Sequence, residues 1–253
     1  MKSVTVRNVT IGQGRPKICV PIVDKEKDAV LAEARSIREL PVDIVEWRAD
    51  WYEGGKEIDR VLELLSLLRK ELGEIPLLFT FRTSKEGGAA ALTAEEYEAL
   101  NLAVAKSGFA DLIDVEMFSG DAMVRRIVEG AHKHKVRVIG SNHDFYKTPD
   151  TNEIVRRLRR MQELDADIVK AAVMPLTKED VLKLLEATVE AERSADRPVV
   201  TMAMGGIGVV SRIAGEIFGS SITFGAAAKA SAPGQVDVKN LEQILEVIHQ
   251  SQE

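Results

Sequence analysis

Lys170 stands in the middle of the apolar run Asp167-Ile168-Val169-Lys170-Ala171-Ala172-Val173, where a charged side chain has no easy route to water. Read as a strand, the run puts Ile168, Lys170 and Ala172 on one face and Val169, Ala171 and Val173 on the other. Desolvation on either face favours the free amine, the nucleophile that condenses with a carbonyl to give a Schiff base. A snorkelling lysine or a buried ion pair accounts for this segment equally well. His143, in Gly140-Ser141-Asn142-His143-Asp144-Phe145, is expected in the loop after a strand over 136–141. An imidazole there can take and return a proton near neutral pH, although a lone loop histidine is more often incidental.

Further charges fall at strand ends. Glu46 and Arg48 share one strand face, and Arg82 ends the third strand with Glu86-Gly87-Gly88 in the loop after it. Asp114 and Glu116 share a face of the fourth strand, and Arg212 follows the turn Gly205-Gly206-Ile207-Gly208. Singly, each reads as a structural ion pair. Together they gather arginine, carboxylate, lysine and histidine at the mouths of several strands, which packing does not explain. The other histidines offer no metal site: His132 and His134 are two apart on a predicted helix and diverge, and His249 lies on the C-terminal helix surface. The run Arg156-Arg157-Leu158-Arg159-Arg160, with Glu153 and Glu163 near it and no aromatics, reads as a solvated helix face rather than a nucleic-acid surface.

The elements that must position these groups alternate along the whole chain. Short β-branched runs at 17–23, 43–48, 77–82, 111–116, 136–141, 168–173, 198–202 and 221–224 are separated by amphipathic stretches, among them 93–107 and 150–164. Thr93 with Glu96, and Thr177 with Asp180, carry capping-box spacing at two helix starts. Such alternation gives a parallel sheet, either open and doubly wound or closed into a (β/α)8 barrel, and the count of eight leans toward closure. Residues 3–11 also alternate and precede Gly12-Gln13-Gly14, which predicts a hairpin closing the barrel bottom. Nothing resembling a linker interrupts residues 1–253, so a single domain is expected.

The composition supports a globule: 45% hydrophobic and 29% charged residues can cover and fill a core of this size. A net charge of −6 disfavours a polyanion-binding surface but allows a local basic pocket. The single cysteine, Cys19, cannot form an internal disulfide and sits in a buried strand pattern. No leader-like or membrane-spanning run is visible, which points to a cytoplasmic protein with no membrane partner.

Taken in order, Glu46-Trp47-Arg48, Phe79-Thr80-Phe81-Arg82, Lys85-Glu86-Gly87-Gly88, Ser141-Asn142-His143-Asp144-Phe145, Lys170, Ser211-Arg212 and Ser231-Ala232-Pro233-Gly234-Gln235 resemble the type I 3-dehydroquinate dehydratases from the first strand to the last helix. The resemblance implies a closed (β/α)8 barrel and dehydration of 3-dehydroquinate to 3-dehydroshikimate in the shikimate pathway. It implies that Lys170 forms the imine, that His143 moves the proton, and that Glu86 supports His143, with Asp114 assisting. Arg212 would bind the substrate carboxylate, while Glu46, Arg48 and Arg82 hold the polar side of the ring. Ser231 and Gln235 belong to a closing loop whose small residues Ala230, Ala232 and Gly234 suit a mobile lid. No metal or organic cofactor is implied, and a homodimer is.

Two departures from the family pattern stand out. Pro21 replaces a serine found in many bacterial relatives, and the 204–208 loop lacks a lysine that many carry just before Arg212. Before the resemblance is applied, the glycine-rich turn with Lys170 equally describes a class I aldolase of a phosphorylated sugar. A non-catalytic paralogue binding a cyclic hydroxy acid is the second alternative.

Overall fold

The apolar runs form parallel strands because each is buried on both sides, by the barrel interior and by a layer of helices. The structure, a computed structural model, describes residues 3–227 and 231–252; Ala230, singled out above, lies outside them. A short hairpin, β1 (Val4–Val6) and β2 (Val9–Ile11), comes first. The strands β3 (Lys17–Ile22), β4 (Ile44–Arg48), β5 (Leu77–Thr80), β6 (Leu112–Glu116), β7 (Arg137–Asp144), β8 (Ile168–Val173) and β9 (Val199–Ala203) pair in parallel, each with the next. β10 (Ile222–Ala226) returns to pair with β3, and β11 (Val236–Asp237) adds to its far end.

Between the strands run α1 (Lys27–Ile37), α2 (Ile58–Leu72), α3 (Ala94–Ser107), α4 (Asp121–Lys133), α5 (Thr151–Glu163), α6 (Lys178–Ser194), the short α7 (Val210–Ile213) and α8 (Gly215–Phe218), and finally α9 (Val238–Gln250). Both expected capping boxes form, Thr93 with Glu96 at α3 and Thr177 with Asp180 at α6. The barrel closes between β9 and β10 without a regular ladder. Ser221 N donates to Val199 O at 2.8 Å, and Thr201 N donates to Ser220 Oγ at 3.0 Å. Toward the C-terminal mouth, this seam is bordered by the segment leading into β11.

Strand parity sorts the side chains into two cores. Outward residues such as Val20, Trp47, Phe79, Val115 and Val169 pack against Val30, Leu64, Leu68, Val124, Leu184 and their helical neighbours. Inward, one residue from each barrel strand builds an apolar floor: Cys19, Ile44, Leu78, Leu112, Ile139, Ile168, Val200 and Ile222. The expected hairpin seals it, with Val4, Val6 and Ile11 buried in the same cluster. The polar inward residues gathered in the cleft all stand above this floor.

Two boundaries differ from the sequence reading. β7 runs to Asp144, so His143 is a strand residue and not a loop residue; its pairing with β8 continues through His143↔Ala172 and Asp144↔Val173. β5 stops at Thr80, and Arg82 lies just beyond its end, where its backbone N–H is taken by Asp50 Oδ1 at 3.2 Å.

Candidate active site

One pleat above the floor, alternation presents Glu46, Thr80, Asp114, Ser141, Lys170, Met202 and Phe224 to the interior, and a second pleat presents Arg48, Glu116, His143 and Met204. A cleft of about 480 Å³ opens there, lined by Glu46, Arg48, Arg82, Glu86, His143, Lys170, Arg212, Ser231 and Gln235 together with Met202, Met204 and Phe224. Every residue to which the resemblance gives a catalytic or substrate-binding role lines this cleft, and Asp114, given a supporting role, lies beneath it in contact with Lys170. The wall from β4 to β8 is polar, and the wall from β9 and β10 is apolar.

Lys170 is 4% exposed. Its Nζ lies 3.3 Å from Asp114 Oδ2 and 4.4 Å from the centroid of the Phe224 ring. The other Asp114 oxygen accepts from Ser141 Oγ at 2.6 Å and Arg82 Nη2 at 2.8 Å. Burial would raise the Asp114 carboxyl, but the charges of Arg82 and Lys170 hold it below the usual range. Arg82 also reaches Glu116 Oε1 at 3.2 Å and Ser141 Oγ at 3.0 Å, so one buried guanidinium joins β5, β6 and β7.

Glu86 sits at the end of a single 3₁₀ turn, Ser84–Glu86, that follows β5. Its Oε2 accepts from both His143 N and His143 Nδ1, each at 2.9 Å. An ionised carboxylate only accepts, so Nδ1 carries the proton and Nε2 is left as the basic nitrogen. Burial, followed by the charges of Arg82, Lys170 and Arg48, holds His143 well below its ordinary range, which keeps the ring neutral. Burial pushes Glu86 up to about 7, with Arg82 opposing the rise.

Arg48 is held by Asp50 through Nε and Nη2, both at 2.8 Å, and Glu46 accepts from Thr80 Oγ1 at 2.8 Å. Asp50 and Thr80 were not picked out from sequence as site residues. Asp50 continues the alternation Glu46, Arg48 past the strand end, and that was the available signal. The apolar wall of Met202, Met204 and Phe224 was invisible because such residues read as ordinary barrel filling.

Arg212, on the short α7, is 1% exposed. Its Nη2 donates to Pro233 O at 3.2 Å, while Nε and Nη1 are buried with no hydrogen-bond acceptor among the described residues. Burial pulls it down to about 10. A buried guanidinium with two unfilled donors calls for a carboxylate-like anion.

The segment carrying Ser231 and Gln235 is folded over the mouth. Ser231 N donates to Gln235 Oε1 at 2.8 Å, and Gln235 Nε2 donates to Ser231 Oγ at 3.0 Å. The segment rests on the glycine-rich loop: Gly205 N donates to Pro233 O at 3.1 Å, and a Cβ on Gly234 would lie 2.3 Å from Gly205 O. In that loop Gly208 N and Val209 N bond to Gly205 O and Gly206 O. The backbone donors needed for a phosphate cradle are therefore largely spent within the protein, which removes support for the aldolase alternative. A Cβ on Gly206 would meet nothing within 4 Å, so nothing in the structure explains the missing lysine of the 204–208 loop. Pro21, the other departure, lies beside Glu46 in the β3–β4 register.

Comparison with known proteins agrees with this geometry. The model of the family described as type I 3-dehydroquinase matches residues 18–252. The chain belongs to the type I 3-dehydroquinase family. A 3-dehydroquinate dehydratase of Salmonella agona is 54% identical over 252 residues, covering 99% of this chain and 100% of the relative. One from Listeria welshimeri is 52% identical over 249 residues, covering 98% and 99%. A crystal structure of the type I enzyme from Clostridium difficile, carrying covalently modified comenic acid, superposes with a TM-score of 0.97 at 52% identity, covering 99% of this chain and 100% of that one. These type I neighbours are TIM barrels, so the closed architecture holds over the open sheet.

Proposed function

We infer that this chain dehydrates 3-dehydroquinate to 3-dehydroshikimate through a Schiff base on Lys170. The observation that carries the residue assignment is one cleft holding a buried lysine, a neutral histidine fixed by a carboxylate, and a buried arginine with free donors. The Lys170 amine adds to the C3 ketone and water leaves, giving an iminium that withdraws electrons from C2. His143 Nε2 takes a C2 proton, the enamine expels the C1 hydroxyl, and His143 returns its proton to that oxygen. Hydrolysis of the product imine frees Lys170. The iminium is the electron sink, so the reaction needs no metal or organic cofactor.

Asp114, 3.3 Å from Nζ, orients the amine as a fixed negative charge. Arg212 pairs with the substrate carboxylate through its unfilled donors. Glu46, Arg48 and Arg82 meet the ring hydroxyls, and the Met202–Met204–Phe224 wall covers the apolar face. Ser231 and Gln235 exclude water from above.

The test is incubation with 3-dehydroquinate, with conjugated enone followed by ultraviolet absorbance and a parallel sample reduced by borohydride for peptide mass spectrometry. Lys170→Ala is expected to lose turnover and adduct together; an active Lys170→Ala protein would end the covalent mechanism. His143→Ala is expected to form the adduct yet turn over at a rate lower by roughly 10²–10⁴-fold, the usual share of acid–base catalysis.

The chain is also read as a homodimer in the cytoplasm. Supporting the dimer, Leu182 on α6 and Ile217 on α8 are large exposed apolar side chains on two helices that pack together. Among the described residues no helix is long and apolar enough to cross a membrane. Sedimentation velocity and cell fractionation test the two readings.

A further inference from the structure

Asn142 and Arg157 lie outside the cleft, and the chemistry above does not use them. Asn142 sits between the two inward residues Ser141 and His143 and so belongs to the outward face of β7, toward the helices. Its Nδ2 donates to Glu86 Oε1 at 3.1 Å, and its Oδ1 accepts from Arg157 Nη1 at 2.9 Å. Arg157, on α5, is itself held by Glu153 one turn earlier, Nε to Oε1 at 2.8 Å, with Asp144 Oδ2 at 3.9 Å.

We propose that Arg157, acting through Asn142, is a positioning residue that fixes the Glu86 carboxylate and thereby the proton-bearing nitrogen of His143. The reasoning is one of donor and acceptor counting. An asparagine amide can turn either its oxygen or its NH₂ toward a carboxylate, and only the NH₂ attracts it. A guanidinium has donors and no acceptors, so Arg157 claims the amide oxygen and leaves the NH₂ for Glu86. Glu86 is then gripped from two sides: Oε1 by Asn142, and Oε2 by the backbone and ring of His143. A carboxylate so held presents one oxygen to Nδ1 and leaves Nε2 facing the cleft as base.

The charged and titratable groups around Glu86 are Arg82 beyond β5, Asp114 and Glu116 on β6, and His143 on β7; around the amide they are Asp144, Glu153 and Arg157. Of these, Arg82 favours the Glu86 carboxylate, and Glu116 and Asp114 oppose it. The Asn142 N–H adds to Arg82 in lowering a group that burial pushes up to about 7, so the shift caused by its loss falls near neutral pH.

This rests on the roles given above to Glu86 and His143, and the test separates the two. The pH dependence of kcat is measured for the wild-type chain, Asn142→Ala, Arg157→Ala, Arg157→Lys and the Asn142→Ala/Arg157→Ala double variant, with histidine-selective ¹⁵N NMR on the same ligand-free proteins. The acid limb of kcat is expected to move to higher pH by about half a unit or more in both alanine variants, roughly threefold in proton affinity. KM should change little, since neither side chain lines the cleft. The double variant should shift no further than Asn142→Ala, and Arg157→Lys, still a donor-only cation, should return the limb toward wild type. Folded alanine variants with unmoved limbs, or shifts that add in the double variant, overturn the proposal. If Asn142→Ala does not fold, Asn142→Ser and the Arg157 pair decide in its place. If the wild-type chain does not turn over 3-dehydroquinate, the functional reading fails. The NMR then decides alone, through loss or retention of the Nδ1–H form of His143 in the variants.

Discussion

Burial and neighbouring charges move the ionisation of single residues in this barrel mouth away from their values in water. Glu86 and His143 are moved in opposite directions, the acid up and the base down, by burial in both cases and by the cations Arg82, Lys170 and Arg48 in the second. That has a consequence for stability. With Glu86 at about 7 in the fold against about 4.5 for an unperturbed glutamate, the folded chain binds the extra proton. The contribution is therefore favourable below the lower value and is lost as pH rises through the higher one. Glu86→Gln removes this ionisation. Its melting temperature is expected to exceed that of the wild type by several degrees near pH 8, with the gap closing toward pH 5. A gap independent of pH, read by calorimetry, would show that Glu86 does not titrate in this interval. Kcat should fall in the same variant, because the group that fixes Nδ1–H loses its charge.

At the scale of elements, strand parity and one tight turn do the positioning. Alternation on β4, β6, β7 and β8 is enough to aim Glu46, Arg48, Asp114, Glu116, His143 and Lys170 inward. Glu86 depends instead on the turn after β5, which is closed by Glu86 N and Gly88 N, both bonded to Thr83 O. A Cβ on Gly88 would lie 1.8 Å from Arg82 O, so alanine there must open the turn. Gly88→Ala is expected to lower kcat on the order of 10²-fold through displacement of Glu86 by about an ångström. Borohydride trapping on Lys170 should persist, since β8 is untouched. Kcat within twofold of wild type would mean that the turn does not govern Glu86.

At the scale of the molecule, the barrel is an apolar floor with a polar mouth. The floor is sealed by Val4, Val6 and Ile11 of the hairpin, and the mouth is covered by a segment seated on the 205–208 loop. The exposed side chains Leu182 and Ile217 lie on α6 and α8. If a second copy covers this face, Leu182→Asp with Ile217→Asp should convert the sedimenting species from two chains to one, with kcat retained. A wild-type chain that sediments as a monomer at micromolar concentration would refute the dimer.

The order of strands, the hairpin, both capping boxes and the buried lysine were legible in the chain itself. Periodicity and burial are local properties, and a lysine inside an apolar run is conspicuous at any scale. The strand-or-loop state of His143 was misread because its extra pairing comes from β8, distant in sequence. Arg157 was misread as a solvated face for a similar reason: its neighbours along the helix are charged, and only packing brings Asn142 within 2.9 Å. Asp50, likewise, shows its purpose only where the Arg82 and Ala89 backbones converge on it. What the sequence by itself determined was which residues share a strand face and what chemistry they could do, since parity follows from the chain alone. Which carboxylate meets which cation, and hence which groups stay charged, was decided by the tertiary structure, because those contacts join different strands, as Arg82 to Glu116 and Lys170 to Asp114 do.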